Sequence, residues 1–158
     1  MTRRRKAAAV IIALVLAGVA GCFVSGLNRA RFAARQTMCV HNLKLIGMQL
    51  RMYAEEHEGA FPDKWSTLVA DLNTGSLEIF VCPEESRRHR KMYGVPYTVS
   101  GPEHVDERSS YVLVTGLHMT DDKDMLLAYE KGGNHGGIGH SLLYLDLRGG
   151  WDPPSNWR

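Results

Sequence analysis

The stretch "CVHNLKLIGMQLRMYAEEHEGAFP", residues 39–62, decides the fold. Val40, Leu43, Ile46, Gly47, Leu50, Tyr53 and Ala54 recur at intervals of three and four, so a helix gathers them into one apolar stripe. Glu55, Glu56 and Glu58 stay outside the stripe or at its end, and Gly59 followed by Pro62 supplies a left-handed cap and then a stop. A striped helix needs a surface to cover, and the rest of the chain has to provide it.

Upstream, residues 7–27, "AAAVIIALVLAGVAGCFVSGL", carry no charge. Roughly 20 apolar residues rising ~1.5 Å each are enough to cross a bilayer. The sequence turns polar from Asn28 but keeps a helical beat through Phe32 towards the stripe. A single helix over about residues 7–58 is therefore predicted, on the order of 75 Å long. Its first part, 7–27, is read as transmembrane and its second, 28–58, as amphipathic. The basic "TRRRK" ahead of the span makes residues 1–6 a cytoplasmic tail and places the head, 28–158, outside, with Arg29, Arg31 and Arg35 as a weaker opposing signal. A cleaved secretory signal would share the basic start but has a shorter apolar run. "VAGC" at Val19–Cys22 also resembles the lipobox of bacterial lipoproteins, which would make Cys22 an acylated first residue. The apolar residues that continue past Cys22 favour the uncleaved anchor.

The 19 basic and 17 acidic residues give a formal net charge of +2. Without Arg3, Arg4, Arg5 and Lys6 the balance is 15 against 17, or −2, so the alkaline character belongs to the tail. No nucleic-acid-binding face is expected.

Between residues 63 and 104, "DKWSTLVADL" predicts a short helix, "EIFVCP" a short strand, and "EESRRHRKMYGVPYTVSGPEHVDERS" a long solvated loop. The final third changes period. "SSYVLVTGL", "DMLLAYE" and "HSLLYLDLRGGW" are rich in Val, Leu and Tyr, are separated by turn-forming segments, and predict three strands of an antiparallel meander. The fold class is then α+β, a long N-terminal helix packed on a small antiparallel sheet. The tail "WDPPSNWR", with its paired prolines, is expected to be terminal coil or a clip across the sheet edge.

Of the three cysteines, Cys22 belongs to the span, leaving Cys39 and Cys82 in the exported part. An even number of thiols outside the cytoplasm favours a Cys39–Cys82 disulfide. Closing a loop of about 44 residues would contribute roughly 3–4 kcal/mol in the chain-entropy model. Two free thiols in a reducing compartment are the alternative. His135 and His140 flank a glycine turn with Asp146 nearby, and His41 or His57 could approach from the helix, yet His-x4-His on a glycine loop is a weak zinc pattern. Asp121, Asp122 and Asp124 in "TDDKD" lack the alternation of a calcium loop. No metal or other cofactor is expected. With no G-x-S-x-G, H-E-x-x-H or phosphate-binding glycine loop, no enzymatic activity is expected either.

A hydrophobic helix running into an amphipathic one, then a loop and a small antiparallel sheet, resembles type IV pilins and the pseudopilins of type II secretion. More closely, residues 39–62 followed by "FVCP", "SYVLVTGL", "LLAYEK" and "NHGGIGHSLLYLD" resemble pseudopilin-like proteins with a C-terminal H-x9-D-G signature. The resemblance covers most of residues 39–150 and assigns His135, Gly136, Gly137 and Asp146 to the signature turn. It implies a pilin-like fold, a bacterial inner-membrane location with a periplasmic head, and partners among other pilin-like subunits or secretion-apparatus proteins. The chain departs from the pattern twice. "RRRKAAAVIIALV" has neither the Gly-Phe junction nor the glutamate of processed prepilins, a residue thought to satisfy a neighbouring subunit's terminal amine. In the signature, ten residues separate His135 from Asp146, and Leu147 stands where the glycine is expected.

Overall fold

A computed structural model describes residues 3–72 and 76–152, with side chains from residue 10 onward. The elements are helices α1 (Arg3–Glu56), α2 (Trp65–Leu72), α3 (Pro83–Tyr93) and α4 (Val105–Arg108), then strands β1 (Tyr111–Leu113), β2 (Leu126–Glu130), β3 (His140–Tyr144) and β4 (Gly149–Asp152). The chain divides into two compact units, Met1–Ala34 and Arg35–Arg158, and the residues of α1 are shared between them.

In the first unit, the large apolar side chains from Val10 to Leu27 are between 40% and 68% exposed. A run of that length and composition is able to cross a membrane. The Ser25 hydroxyl donates to the carbonyls of Gly21 (3.0 Å) and Cys22 (2.9 Å), so this polar group is satisfied along the helix itself.

In the second unit the stripe is the core. Cys39, Leu43, Ile46, Gly47, Leu50, Tyr53 and Ala54 are buried, while Val40 is half-buried, so Cys39 holds the inner position at the start of the stripe. The helix ends at Glu56, two residues before the expected boundary. Glu58 (φ 56°) and Gly59 (φ 91°) both turn left-handed, and the Gly59 N–H donates to the Ala54 carbonyl at 2.7 Å.

The sheet is an antiparallel meander in the order β1-β2-β3-β4. It has four strands instead of three, because "HSLLYLDLRGGW" folds on itself. Leu147 adopts φ 65°, its N–H donates to the Tyr144 carbonyl at 2.9 Å, and Asp146 Oδ1 accepts the Arg148 N–H at 2.9 Å, closing a tight turn between β3 and β4. Trp151 and Asp152 extend β4 instead of forming coil, and the remainder of the expected tail, residues 153–158, lies outside the described residues.

Residues 63–104 also differ from expectation, apart from the helix at Trp65–Leu72. "EIF" belongs to a 3-10 turn, Leu77–Phe80, and the expected long loop holds α3 and α4. Helix α3 has proline at its first position, Glu84 and Glu85 in its first turn, Arg90 and Lys91 in its last, and Gly94 at φ 79° as its C-terminal cap. Its basic run is committed in part to local contacts. Arg87 pairs with Glu84 at 2.5 Å, Arg35 of α1 pairs with the same carboxylate, and Arg88 donates to the Asn134 carbonyl.

Helix and sheet approach closely at Gly47 and Gly149. A Cβ at Gly47 would lie 2.9 Å from Leu143 Cδ2 and 3.0 Å from Leu147 Cδ2, and one at Gly149 would lie 2.8 Å from Val40 Cγ1. Leu43, Ile46, Leu50, Trp65, Phe80, Tyr111, Leu127 and Leu143 form the centre of the core. Trp65 sets its ring edge on Phe80 (centroids 5.4 Å apart) and donates its indole N–H to the Tyr111 carbonyl at 3.1 Å. Gly47→Leu is accordingly expected to destabilise the protein by about 1–3 kcal/mol by overpacking, although glycine is about 1 kcal/mol worse than good helix formers inside a helix. Thermal unfolding of the full chain in detergent measures this. An unchanged or raised midpoint would contradict the close helix–sheet approach.

Candidate functional site

Four chemically reactive side chains converge inside the second unit. Cys39 lies on α1, one turn before Leu43. Cys82 is the residue that caps α3, Glu130 ends β2, and His135 sits in the glycine-rich turn between β2 and β3. All four are buried, and one donor atom from each falls within 4.8 Å of the others.

Local folding explains each placement. The helical stripe turns Cys39 inward. At Cys82 the chain is extended (φ −67°, ψ 126°) before Pro83 starts α3, and the Cys82 N–H donates to Ser110 Oγ at 2.7 Å. In β2, Glu130 pairs with Tyr111 of β1 and is only 1% exposed. The turn carrying His135 places Gly133, Gly136 and Gly137 at φ 90°, 68° and 77°, a left-handed backbone that glycine adopts without penalty. Trp151 of β4 meets the imidazole edge-on, centroids 4.9 Å apart, and fixes the ring plane.

Within the cluster, the Cys39 and Cys82 sulfurs are 2.8 Å apart and are not bonded. His135 Nε2 lies 3.5 Å from Cys82 Sγ and 3.1 Å from Glu130 Oε1. The other Glu130 oxygen, Oε2, accepts the Ser141 N–H at 3.2 Å and the Ser141 hydroxyl at 2.9 Å. A buried carboxylate requires such partners.

The electrostatics follow from these contacts. The contact with Cys39 and then burial push the Cys82 thiol up. Burial pushes the Glu130 carboxyl up, but His135, Cys82 and Ser141 outweigh it and hold the group below the usual carboxylate range. Burial pulls His135 down, whereas Cys82 and Glu130 overcome it and raise the imidazolium to about 9. Burial also pushes the Tyr111 hydroxyl up, reinforced by Cys39, Cys82 and Glu130. The set therefore combines a neutral Cys82 thiol with an imidazolium–carboxylate pair, and Cys39 lies against that thiol. Such a set can form a disulfide, hold a metal ion, or stay as a buried hydrogen-bonded network.

Of the residues singled out in the sequence, the structure brings together Cys39, Cys82 and His135. Gly136 and Gly137 form the exposed turn beside them. Asp146 is elsewhere, exposed in the β3–β4 turn beside Arg148. His57 Nδ1 lies 2.7 Å from the Tyr53 carbonyl, and Asp121, Asp122 and Asp124 are engaged by the His118 N–H, the Asp124 N–H and Arg148 respectively. Cys22 is an exposed residue of the first unit. Glu130 was absent from the sequence-based set. Its signal was a single carboxylate at an inward-facing position of the "LLAYE" strand.

No protein family, curated protein or solved structure matches the chain.

Proposed function

We propose that this chain is a pilin-like, single-pass membrane protein of a type II secretion or type IV pilus-like system, working by protein–protein association. The observation that carries the reading is α1, Arg3–Glu56, whose exposed apolar part is followed in the same helix by the stripe that lines the head's core. The ordered motifs of residues 39–150 support it, as does the antiparallel meander. On this reading the N-terminus is cytoplasmic and the head periplasmic in a bacterial inner membrane. Ala17, Gly18 and Gly21 let sister helices approach closely, and Gly18 and Gly21 have open space where a Cβ would stand.

A photo-cross-linking residue in place of Ala17, in the full chain in its native membrane, tests this. The expected product is an adduct with a second pilin-like subunit or a secretion-apparatus protein. Cross-linking to lipid alone would overturn the association. "VAGC" sustains a second reading, a lipid-anchored periplasmic binding module that does not polymerise. The mass of the mature N-terminus separates the two, with Met1 retained in the first and an acylated Cys22 in the second.

A further inference from the structure

We propose that Cys39, Cys82, Glu130 and His135 form a closed, structural site for a thiophilic divalent metal ion of the zinc class. The inference concerns the interior of the second unit and does not depend on the pilin-like reading.

Geometry gives the first argument. Four side chains remote in sequence direct two sulfurs, one imidazole nitrogen and one carboxylate oxygen to within 4.8 Å of one another. Tetrahedral zinc, with Zn–S near 2.3 Å and Zn–N or Zn–O near 2.0–2.2 Å, places neighbouring donors roughly 3.3–3.8 Å apart. Three of the six separations, 2.8, 3.1 and 3.5 Å, are at or below that spacing, and none of the others exceeds 4.8 Å. Admitting an ion requires the sulfurs to part by about 1 Å, a displacement within reach of side-chain rotation.

The surroundings give the second. Ser141 holds Glu130 Oε2 through two hydrogen bonds and leaves Oε1 facing the cluster, the arrangement by which an outer shell orients a ligating carboxylate. The Trp151 contact fixes the imidazole plane with Nε2 towards the sulfurs.

The third is what a disulfide would leave unexplained. Joining the sulfurs accounts for two of the four side chains and leaves a buried carboxylate and a buried imidazole in the core at a desolvation cost. A divalent ion uses all four and offsets two of the three negative charges of two thiolates and a carboxylate. Its binding releases the two thiol protons and the imidazolium proton to solvent, with no change in oxidation state. The two thiolates select against magnesium and calcium, which prefer oxygen donors. With four protein donors and complete burial, the site is of the structural kind, without an open position for chemistry.

The test uses the full chain, purified in detergent under reductant and given zinc, then cobalt. Elemental analysis is expected to find about one zinc per chain, and cobalt to give thiolate charge-transfer bands with the intense visible absorption of a tetrahedral centre. Zinc, and not magnesium, is expected to raise the thermal midpoint. Glu130→Gln preserves the shape of the side chain and is expected to weaken zinc binding at least tenfold, as is Cys82→Ser. Should either variant fail to fold, alkylation of the unsubstituted chain supplies the second measurement, because Cys39 and Cys82 must react with iodoacetamide more slowly with zinc than after its removal by a chelator. Less than about a tenth of an equivalent of zinc on free thiols would overturn the proposal, as would cobalt spectra without thiolate bands. A Cys39–Cys82 disulfide that persists in the reductant-treated protein would overturn it as well.

Discussion

Arginine at both Leu16 and Val19 is expected to move the full chain from the membrane to the soluble fraction. Both residues lie within the uncharged run and are exposed, 63% and 62% respectively, so neither substitution disturbs the core of the second unit. An arginine at the centre of a spanning helix costs about 2.5–3.5 kcal/mol on insertion scales, and two cost about 5–7 kcal/mol, a partition change of more than a thousandfold. Alkaline extraction of membranes followed by immunoblotting reads the outcome. The wild type should stay in the pellet and the double variant should not. A double variant that resists extraction as well as the wild type would show that residues 10–27 are not what holds the protein in the bilayer.

The second large effect concerns the other half of the same helix. Leu43→Ala and Leu143→Ala each truncate a fully buried side chain, one on α1 and one on β3, and each is expected to cost about 2–5 kcal/mol. A small domain is stable by only about 5–15 kcal/mol, so either change removes a large fraction of the total. Met48, on the outward side of the same helix and 49% exposed, is the control, and Met48→Ala should stay within about 0.5 kcal/mol. Denaturant unfolding in detergent distinguishes the positions. Equal losses at Leu43 and Met48 would deny that the helix has an inner face.

Much of this architecture was legible because it rests on periodicity. Leu43, Ile46, Leu50 and Tyr53 can share a face only in a helix, and the uncharged run 7–27 belongs to a helix long and apolar enough to cross a membrane. The strands were legible for the same reason, up to the point where local chemistry overrode pattern. Asp146 and Leu147 interrupt an apolar run without a Gly or Pro between them, so the β3–β4 turn was invisible until Leu147 was seen at φ 65°. That backbone is one glycine adopts more readily than leucine.

Helix α3 was missed for the opposite reason. Pro83, Glu84, Glu85, Arg90, Lys91 and Gly94 mark both its ends, but it has no apolar stripe, and its basic run suggested a solvated loop. Ion pairs and caps hold it instead of burial. The site was half legible. Cys39 and Cys82 stood out as the two thiols downstream of the apolar run and His135 as part of a resemblance, whereas Glu130 belonged to no motif. Only the register of β2 against β1, which pairs Glu130 with Tyr111, turns it into the interior. His140 and Asp146 drew notice through proximity in sequence, a poor guide to contact across a meander.

The central claim is that residues 43–54 of α1, the helix that also carries the apolar run, line the core of the second unit. Hydrogen–deuterium exchange of the full chain in lipid nanodiscs tests it most directly. The amides of residues 43–56 and those of β2 and β3 should exchange as one cooperative unit with a common opening free energy, and Leu43→Ala should lower both together. Rapid exchange across residues 43–56 while β2 and β3 remain protected would contradict the account.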